Sequence, residues 1–196
     1  MADLNCIFIP IKKRFLFFTY QTYKLRPCVV QLLTSITKIN KKYLQDAEIH
    51  NNLVPLPHKY AAITLGRSQR HAHISFVKSY FNRSTYTLND ITLWLEMLSH
   101  EVVHIKQLEK HGFLCFKLLP YLIVHAYWYI KTKSHDNSPL EIRPIAAQNN
   151  FLAFNRHVNT TVRPYALARV ISDMSLTEND KIKQIKYWYK TYKATL

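Results

Sequence analysis

The sequence predicts an α+β fold, mostly helical with a small antiparallel or mixed sheet, and three observations lead there. Apolar residues recur at spacings of three and four over several long segments. Two short runs rich in branched residues flank Gly66. A cluster of good helix-capping residues, Thr87-Leu-Asn-Asp90, precedes the most regular of the apolar patterns. With 196 residues, 48% of them apolar and 13% aromatic, the chain can fill one core, so a single domain over 1–196 is expected.

The elements follow in chain order. The first forty-odd residues mix apolar and basic positions, and "CVVQLLTSITKINKKYLQDAEIH" reads as a helix; "NNLVPLPHKY", with Pro55 and Pro57, reads as a linker. "YAAITLG" and "HAHISFV" read as a pair of strands joined by "GRSQR". The next helix starts near Thr87–Asp90, carries Trp94, Leu98, Val102 and Ile105 on one stripe, and meets Gly112, a residue suited to the left-handed conformation at a helix C-terminus. An apolar helix, or a pair broken at Pro120, covers 113–133, and "SHDNSP" makes a loop. Helical patterns follow at about 140–158 and 163–173, and "SLTENDKIKQIKYWYKTYK" is a capped, basic, amphipathic final helix.

The balance of 27 Lys and Arg against 12 Asp and Glu gives a net charge of +15, with clusters at Lys12-Lys13-Arg14, Lys38-Lys41-Lys42 and Lys181-Lys183-Lys186-Lys190-Lys193. Such a field attracts nucleic acid, anionic lipid or acidic proteins, although no recognisable RNA- or DNA-binding signature accompanies it. Aromatic residues interleave with the lysines around Trp128 and Trp188, a pattern that is more often core than a stacking surface. Cys6, Cys28 and Cys115 are scattered without Cys-x-x-Cys spacing, which argues against a disulfide framework or a thiolate zinc cluster and for a reducing, cytoplasmic setting. The N-terminal stretch has the wrong charge order for a signal peptide. The greasiest run, "GFLCFKLLPYLIVHAYWYI", is interrupted by Lys117, Pro120 and His125, so no transmembrane segment is expected and the run reads as a buried or interfacial helix.

The chemistry lies in "LSHEVVHIKQ". In an α-helix His100 and His104 stand one turn apart on one face, so two imidazole nitrogens can aim at one tetrahedral ion, and the Glu101 carboxylate beside them can take a proton from a water that the metal acidifies to a pKa of about 7. Neutral imidazoles and a carboxylate suit Zn²⁺ better than magnesium or calcium. From 10 His and six Glu in 196 residues, the pattern arises by chance about 0.015 times per chain. A third protein ligand is needed. A histidine six places after His104 is absent, because Lys110 stands there and His111 is one place out of register. Of the downstream glutamates Glu109, Glu141 and Glu178, Glu141 in "NSPLEIRPIAAQ" is the natural candidate, with Asp136, His135 and His111 as the alternatives. Ser138-x-x-Glu141 also matches a capping box, which gives Glu141 a purely structural job.

"TLGRSQ…LSHEVVHIKQLEKHG…NSPLEIRPIAAQ" resembles a group of small bacterial gluzincin-like zinc metallopeptidase domains. In that group a Thr-Leu-Gly strand precedes His-Glu-x-x-His-x-x-Gln, a Tyr-rich helical hairpin follows, and an Asn-Pro-x-Glu-x-Glu-Ala segment supplies the third ligand. The likeness spans about residues 60–155. It implies a zincin-like core over 60–158 with 1–50 and 160–196 as helical additions, Zn²⁺ on His100, His104 and Glu141, Glu101 as general base, and a peptide or protein substrate. This chain departs from the group at Glu141-Ile-Arg143-Pro144, where a base replaces the second acid and a proline enters the first turns of the helix, moving its expected start nearer Arg143. An oxyanion stabiliser would come from Tyr121, Tyr127, His157 or Tyr165, all downstream of the motif. His71 and His73 would flank a substrate-binding edge strand, and Gln148, seven residues after Glu141, would orient a ligand. The rival expectation is a basic binding module for nucleic acid, membrane or a protein partner, with a structural or vestigial zinc site.

Overall fold

The computed structural model describes residues 3–15, 18–51, 62–66, 68–81, 85–110, 118–134 and 136–196. Five strands form one mixed sheet: β1 (Phe8–Phe15), β2 (Phe18–Leu25), β3 (Glu48–Asn51), β4 (Ala62–Gly66) and β5 (Ala72–Phe76), in the order β1-β2-β3-β5-β4. All neighbouring pairs are antiparallel except β3 and β5, which run parallel. Seven helices accompany it among the described residues: α1 (Pro27–Thr37), α2 (Lys41–Asp46), α3 (Leu88–Lys110), α4 (Leu118–Thr132), α5 (Ile142–Thr161), α6 (Ala166–Ser172) and α7 (Glu178–Lys193).

The N-terminal region corrects the expectation of helical additions over 1–50. Residues 8–25 form a β-hairpin whose strands pair over their full length, from Phe8 opposite Leu25 to Phe15 opposite Phe18. Pro10 is tolerated there because β1 is an edge strand and the missing N–H can face away from β2. The single helix expected over 28–50 is two helices and a strand. α1 stops where Lys38 turns left-handed at φ 59°, Asn40 caps α2 by accepting from the Lys42 N–H at 2.9 Å, and the chain then enters β3. The strand pair around Gly66 stands as expected, with Ala62 opposite Phe76 and Gly66 opposite Ala72. Gly66 has φ +154°, and a Cβ there would lie 2.3 Å from the His71 carbonyl oxygen, so the close approach of β4 to β5 requires glycine.

One face of the sheet carries Ile49, Ile74 and Phe76, all fully buried with the apolar stripe Ile91, Trp94, Leu95, Leu98, Val102 and Ile105 of α3 in one core. The Trp94 ring meets Phe8 edge-on at 5.2 Å and Phe76 at 4.7 Å, tying the hairpin and the sheet to α3. α3 begins as the Thr87–Asp90 cluster predicts. The Asp90 N–H donates to Thr87 Oγ1 at 3.1 Å and the Thr87 N–H to Asp90 Oδ2 at 2.9 Å, a reciprocal cap. Gly112, at its expected end, lies outside the described residues, as do residues 52–60 of the expected linker and His111 and His135.

α7 is amphipathic as expected, with Ile185, Trp188 and Tyr192 buried against the core. Lys181, counted above within a basic surface cluster, is itself buried and donates to the Ile171 carbonyl at 2.8 Å. At the start of α7, Glu178 reaches across to α1: its Oε2 accepts from the Cys28 N–H at 2.9 Å and its Oε1 pairs with Arg26 at 3.2 Å. Arg26 offers no side-chain cap of its own, so a carboxylate from the far end of the chain satisfies a first-turn N–H of α1. Of the two expectations for this run, a buried or an interfacial helix, the described residues of α4 speak against the buried one. Ile123, Tyr127 and Ile130, at spacings of four and three, are 57%, 54% and 75% exposed. No helix of the described residues is long and apolar enough to cross a membrane.

Candidate metal centre

α3 carries His100, Glu101 and His104 in its middle, and the turn before α5 brings Glu141 against them. His100 Nε2 lies 3.1 Å and His104 Nε2 3.5 Å from the same Glu141 oxygen, Oε2. Two nitrogens and a carboxylate oxygen thus converge on one point. With metal–ligand bonds of about 2.0–2.1 Å at tetrahedral angles, ligand atoms stand about 3.3 Å apart, which is the spacing observed. Glu141 is fully buried and His104 nearly so. The capping-box role for Glu141 is overturned. α5 begins at Ile142, Glu141 makes no side-chain cap, and the Ser138 hydroxyl accepts instead from the Leu140 N–H at 3.3 Å. Pro144 sits in the first turn of α5, where an N–H has no intrahelical partner, so it removes no helical hydrogen bond.

The outer nitrogens of the two imidazoles are held by glutamines. Gln107 Oε1 lies 2.9 Å from His104 Nδ1, and the same amide donates through Nε2 to the Leu140 carbonyl. Gln148 Oε1 lies 3.3 Å from His100 Nδ1, and its Nε2 donates to Glu96 Oε1 at 2.7 Å. Because each amide spends its N–H on an acceptor, each presents an oxygen to its histidine. Nδ1 therefore carries a proton, which leaves Nε2, the nitrogen that faces Glu141, as the one to ligate a metal once any proton shared with the carboxylate is displaced. Burial pushes the His104 pKa down, but the Glu141 hydrogen bond, the charges of Glu101 and Glu141 and the Gln107 contact outweigh it, so the net shift is upward.

Glu101 is placed by the sheet. The Thr64 hydroxyl of β4 lies 2.9 Å from Glu101 Oε2 and 3.0 Å from the Glu101 carbonyl oxygen, which fixes the carboxylate beside His104. Comparison of the chain with protein-family models, with curated proteins and with solved structures finds no match. The donor geometry therefore carries the functional reading.

Among the described side chains, no hydrogen bond or ring contact ties the oxyanion candidates His157, Tyr165 and Tyr127 to this centre. His157 stands sixteen residues beyond Glu141, about 24 Å of helical rise, and its ring packs on Tyr192 at 5.6 Å. Tyr165 is the exposed residue before α6, with φ 58°. Tyr127 is exposed on α4, its ring against Trp128 and under the Lys131 ammonium at 5.8 Å. Tyr121 lies on α4 with its side chain outside the described residues, and Glu109 likewise on α3; Asp136 is exposed in the loop before α5. Gln148 occupies the orienting position expected of it. Thr64, Gln107 and Glu96 are additions from the structure. Thr64 lies in the Thr-Leu-Gly strand already quoted, and Gln107 follows His104 by three residues, so an i, i+3 polar pair was the signal available.

Proposed function

We propose that the chain is a zinc-dependent, metallopeptidase-like hydrolase of the gluzincin type, with His100, His104 and Glu141 as zinc ligands and Glu101 as general base. The observation that carries this reading is the convergence of His100 Nε2 and His104 Nε2 on Glu141 Oε2, with Glu101 held alongside by Thr64. A zinc ion bound there would polarise a substrate carbonyl and lower the pKa of a water toward about 7. Glu101 would serve as the proton carrier, accepting from a water in the site and donating to the departing amine, and Thr64 would keep its carboxylate in the orientation for both transfers. Gln107 and Gln148 keep the imidazoles in the Nδ1–H form throughout. β4 is the last strand of the sheet on this side, and no described strand pairs with its outer edge. An extended peptide added there by main-chain hydrogen bonds would run beside Glu101.

The test is Glu101→Gln, which keeps volume and reach but cannot accept the proton. It should retain zinc and fold while losing at least about 100-fold in turnover on a peptide library. Cleavage by the variant at the wild-type rate would remove Glu101 from the chemistry.

A second reading, a basic module binding a polyanion, is favoured by a cleft of about 410 Å³ between α1, α3, α5 and α7 whose lining includes Lys38, Lys106 and Arg143 beside Tyr189 and Tyr192. Binding of an acidic ligand that falls steeply with salt, and more steeply than any peptide cleavage, would support it.

A further inference from the structure

A second cluster of metal-ligating side chains lies on the sheet, away from α3 and α5. β3 and β5 pair in parallel with Glu48 opposite His73, and strand alternation puts Glu48 and His50 on the same face as His73. Ile49 and Ile74, pointing the other way, are the residues buried in the core. The three ligating groups therefore share the sheet face that turns away from Thr64, Glu101 and the first centre.

Their geometry is that of a ligand triangle. His50 Nε2 and His73 Nδ1 are 2.9 Å apart, and Glu48 Oε2 is 3.9 Å from His50 Nε2 and 4.0 Å from His73 Nδ1. Those last two separations are too long for hydrogen bonds. The carboxylate oxygen faces both imidazoles across a gap; against the roughly 3.3 Å edge set by tetrahedral bonds of about 2.0–2.1 Å, one side of the triangle is shorter and two are longer, so an ion would draw the carboxylate in and part the rings by about half an ångström. The Lys13 ammonium of β1 takes the other oxygen, Oε1, and so turns Oε2 toward the histidines, as an outer-shell partner would. Lys24, the other nearby cation, is tied to the Asp46 carbonyl. His50 is buried, whereas the His73 side chain is 36% exposed, which leaves the site a solvent-facing side. The 2.9 Å separation of the two ring nitrogens is that of a hydrogen bond between the imidazoles, so the one that carries the proton gives it up when both ligate an ion.

We propose that Glu48, His50 and His73 form a second site for a divalent transition-metal ion, Zn²⁺ or a metal of similar ligand preference, on the outer face of the sheet. Two imidazoles and one carboxylate select such an ion over magnesium or calcium. The site is independent of the hydrolase reading, because no residue is shared with the first centre.

The experiment titrates the full chain, stripped by chelator, with Zn²⁺ and follows it by calorimetry, with Co²⁺ absorption as a second readout. Two equivalents are expected for the wild type. His50→Gln with His73→Gln should take one, His100→Ala with His104→Ala should take the other, and the fourfold variant should take none. The single variant His73→Gln, at a part-exposed position where folding is least at risk, should weaken the second equivalent by more than the 10–100-fold typical of losing an outer-shell partner. Circular dichroism checks that each variant is folded. A wild type that binds one equivalent, lost on changing His100 and His104, overturns the second site, as does unchanged binding of both equivalents by His73→Gln. One equivalent that survives in the His100 and His104 variant but vanishes with His73→Gln supports this site while refuting the first.

Discussion

Gln107 joins the two halves of the proposed zinc site, so Gln107→Leu is the most informative change outside the ligands. Leucine fills most of the same space but neither accepts from His104 Nδ1 at 2.9 Å nor donates to the carbonyl of Leu140, the residue before Glu141. Each unmatched buried group costs about 1–3 kcal/mol, and part of that falls on the metal-free protein as well. The share specific to metal binding comes from freeing the His104 tautomer and the Leu140–Glu141 backbone, and outer-shell losses of this kind weaken metal binding about 10–100-fold, or about 1.4–2.7 kcal/mol. Competition with a chromophoric zinc chelator at neutral pH reads the affinity, and thermal unfolding of the stripped protein reads the structural share. Gln107→Glu keeps an acceptor for Nδ1–H and should recover more affinity than leucine does. Zinc affinity unchanged within about twofold in Gln107→Leu would refute the inference that this amide sets the tautomer.

Glu141→Gln should weaken zinc binding strongly while the protein still folds, since the neutral amide keeps the volume of a fully buried ligand but loses its charge; unchanged affinity in the same competition assay would return Glu141 to a structural role. Burial raises the thiol of Cys6 from 9 to about 11, and burial together with Glu178 raises that of Cys28 to about 12. The unfolded chain ionises these thiols first, so their contribution is intact below pH 9 and is lost as pH rises toward 11–12. At pH 10 each thiol should cost on the order of 1 kcal/mol, so denaturant titrations should show the wild type losing stability between pH 8 and 10 and Cys28→Ala losing about half as much. Glu178→Ala should cost about 1–2 kcal/mol in the same titrations, the usual range for a lost helix cap, and no loss would show that water replaces the carboxylate at Cys28.

Much of the site could be read in the sequence because helical periodicity is strict. His100 and His104 are neighbours in any straight helix, and Glu141 was the downstream carboxylate with the right surroundings. The strands flanking Gly66 were legible for a similar reason, since branched residues and a glycine mark a tight connection. The β1–β2 hairpin was hidden. Only the apolar pair Leu16-Phe17 separates its strands in the sequence, with no Gly, Asn or Asp, and Pro10 argues against a strand unless that strand lies at an edge. β3 escaped because four residues after a six-residue helix carry too little pattern, and with it went Glu48 and His50, although Glu-x-His is the spacing that places two ligands on one strand face. The partners of Thr64, Gln107 and Gln148 depend on how α3, α5 and the sheet pack, which no local pattern encodes.

The bond from Glu178 to the Cys28 N–H spans 150 residues, and it sets an order of events during synthesis. At a translation rate of roughly 5–20 residues per second, the carboxylate that caps α1 emerges about 8–30 s after the helix it serves. His100, His104 and Glu141 all emerge within that interval. The nascent protein thus holds every proposed zinc ligand of the α3–α5 centre before its first helix can dock under its last. Loss of the C-terminal helix would leave α1 uncapped and one side of the core open while every proposed ligand of the α3–α5 centre is still present in the chain.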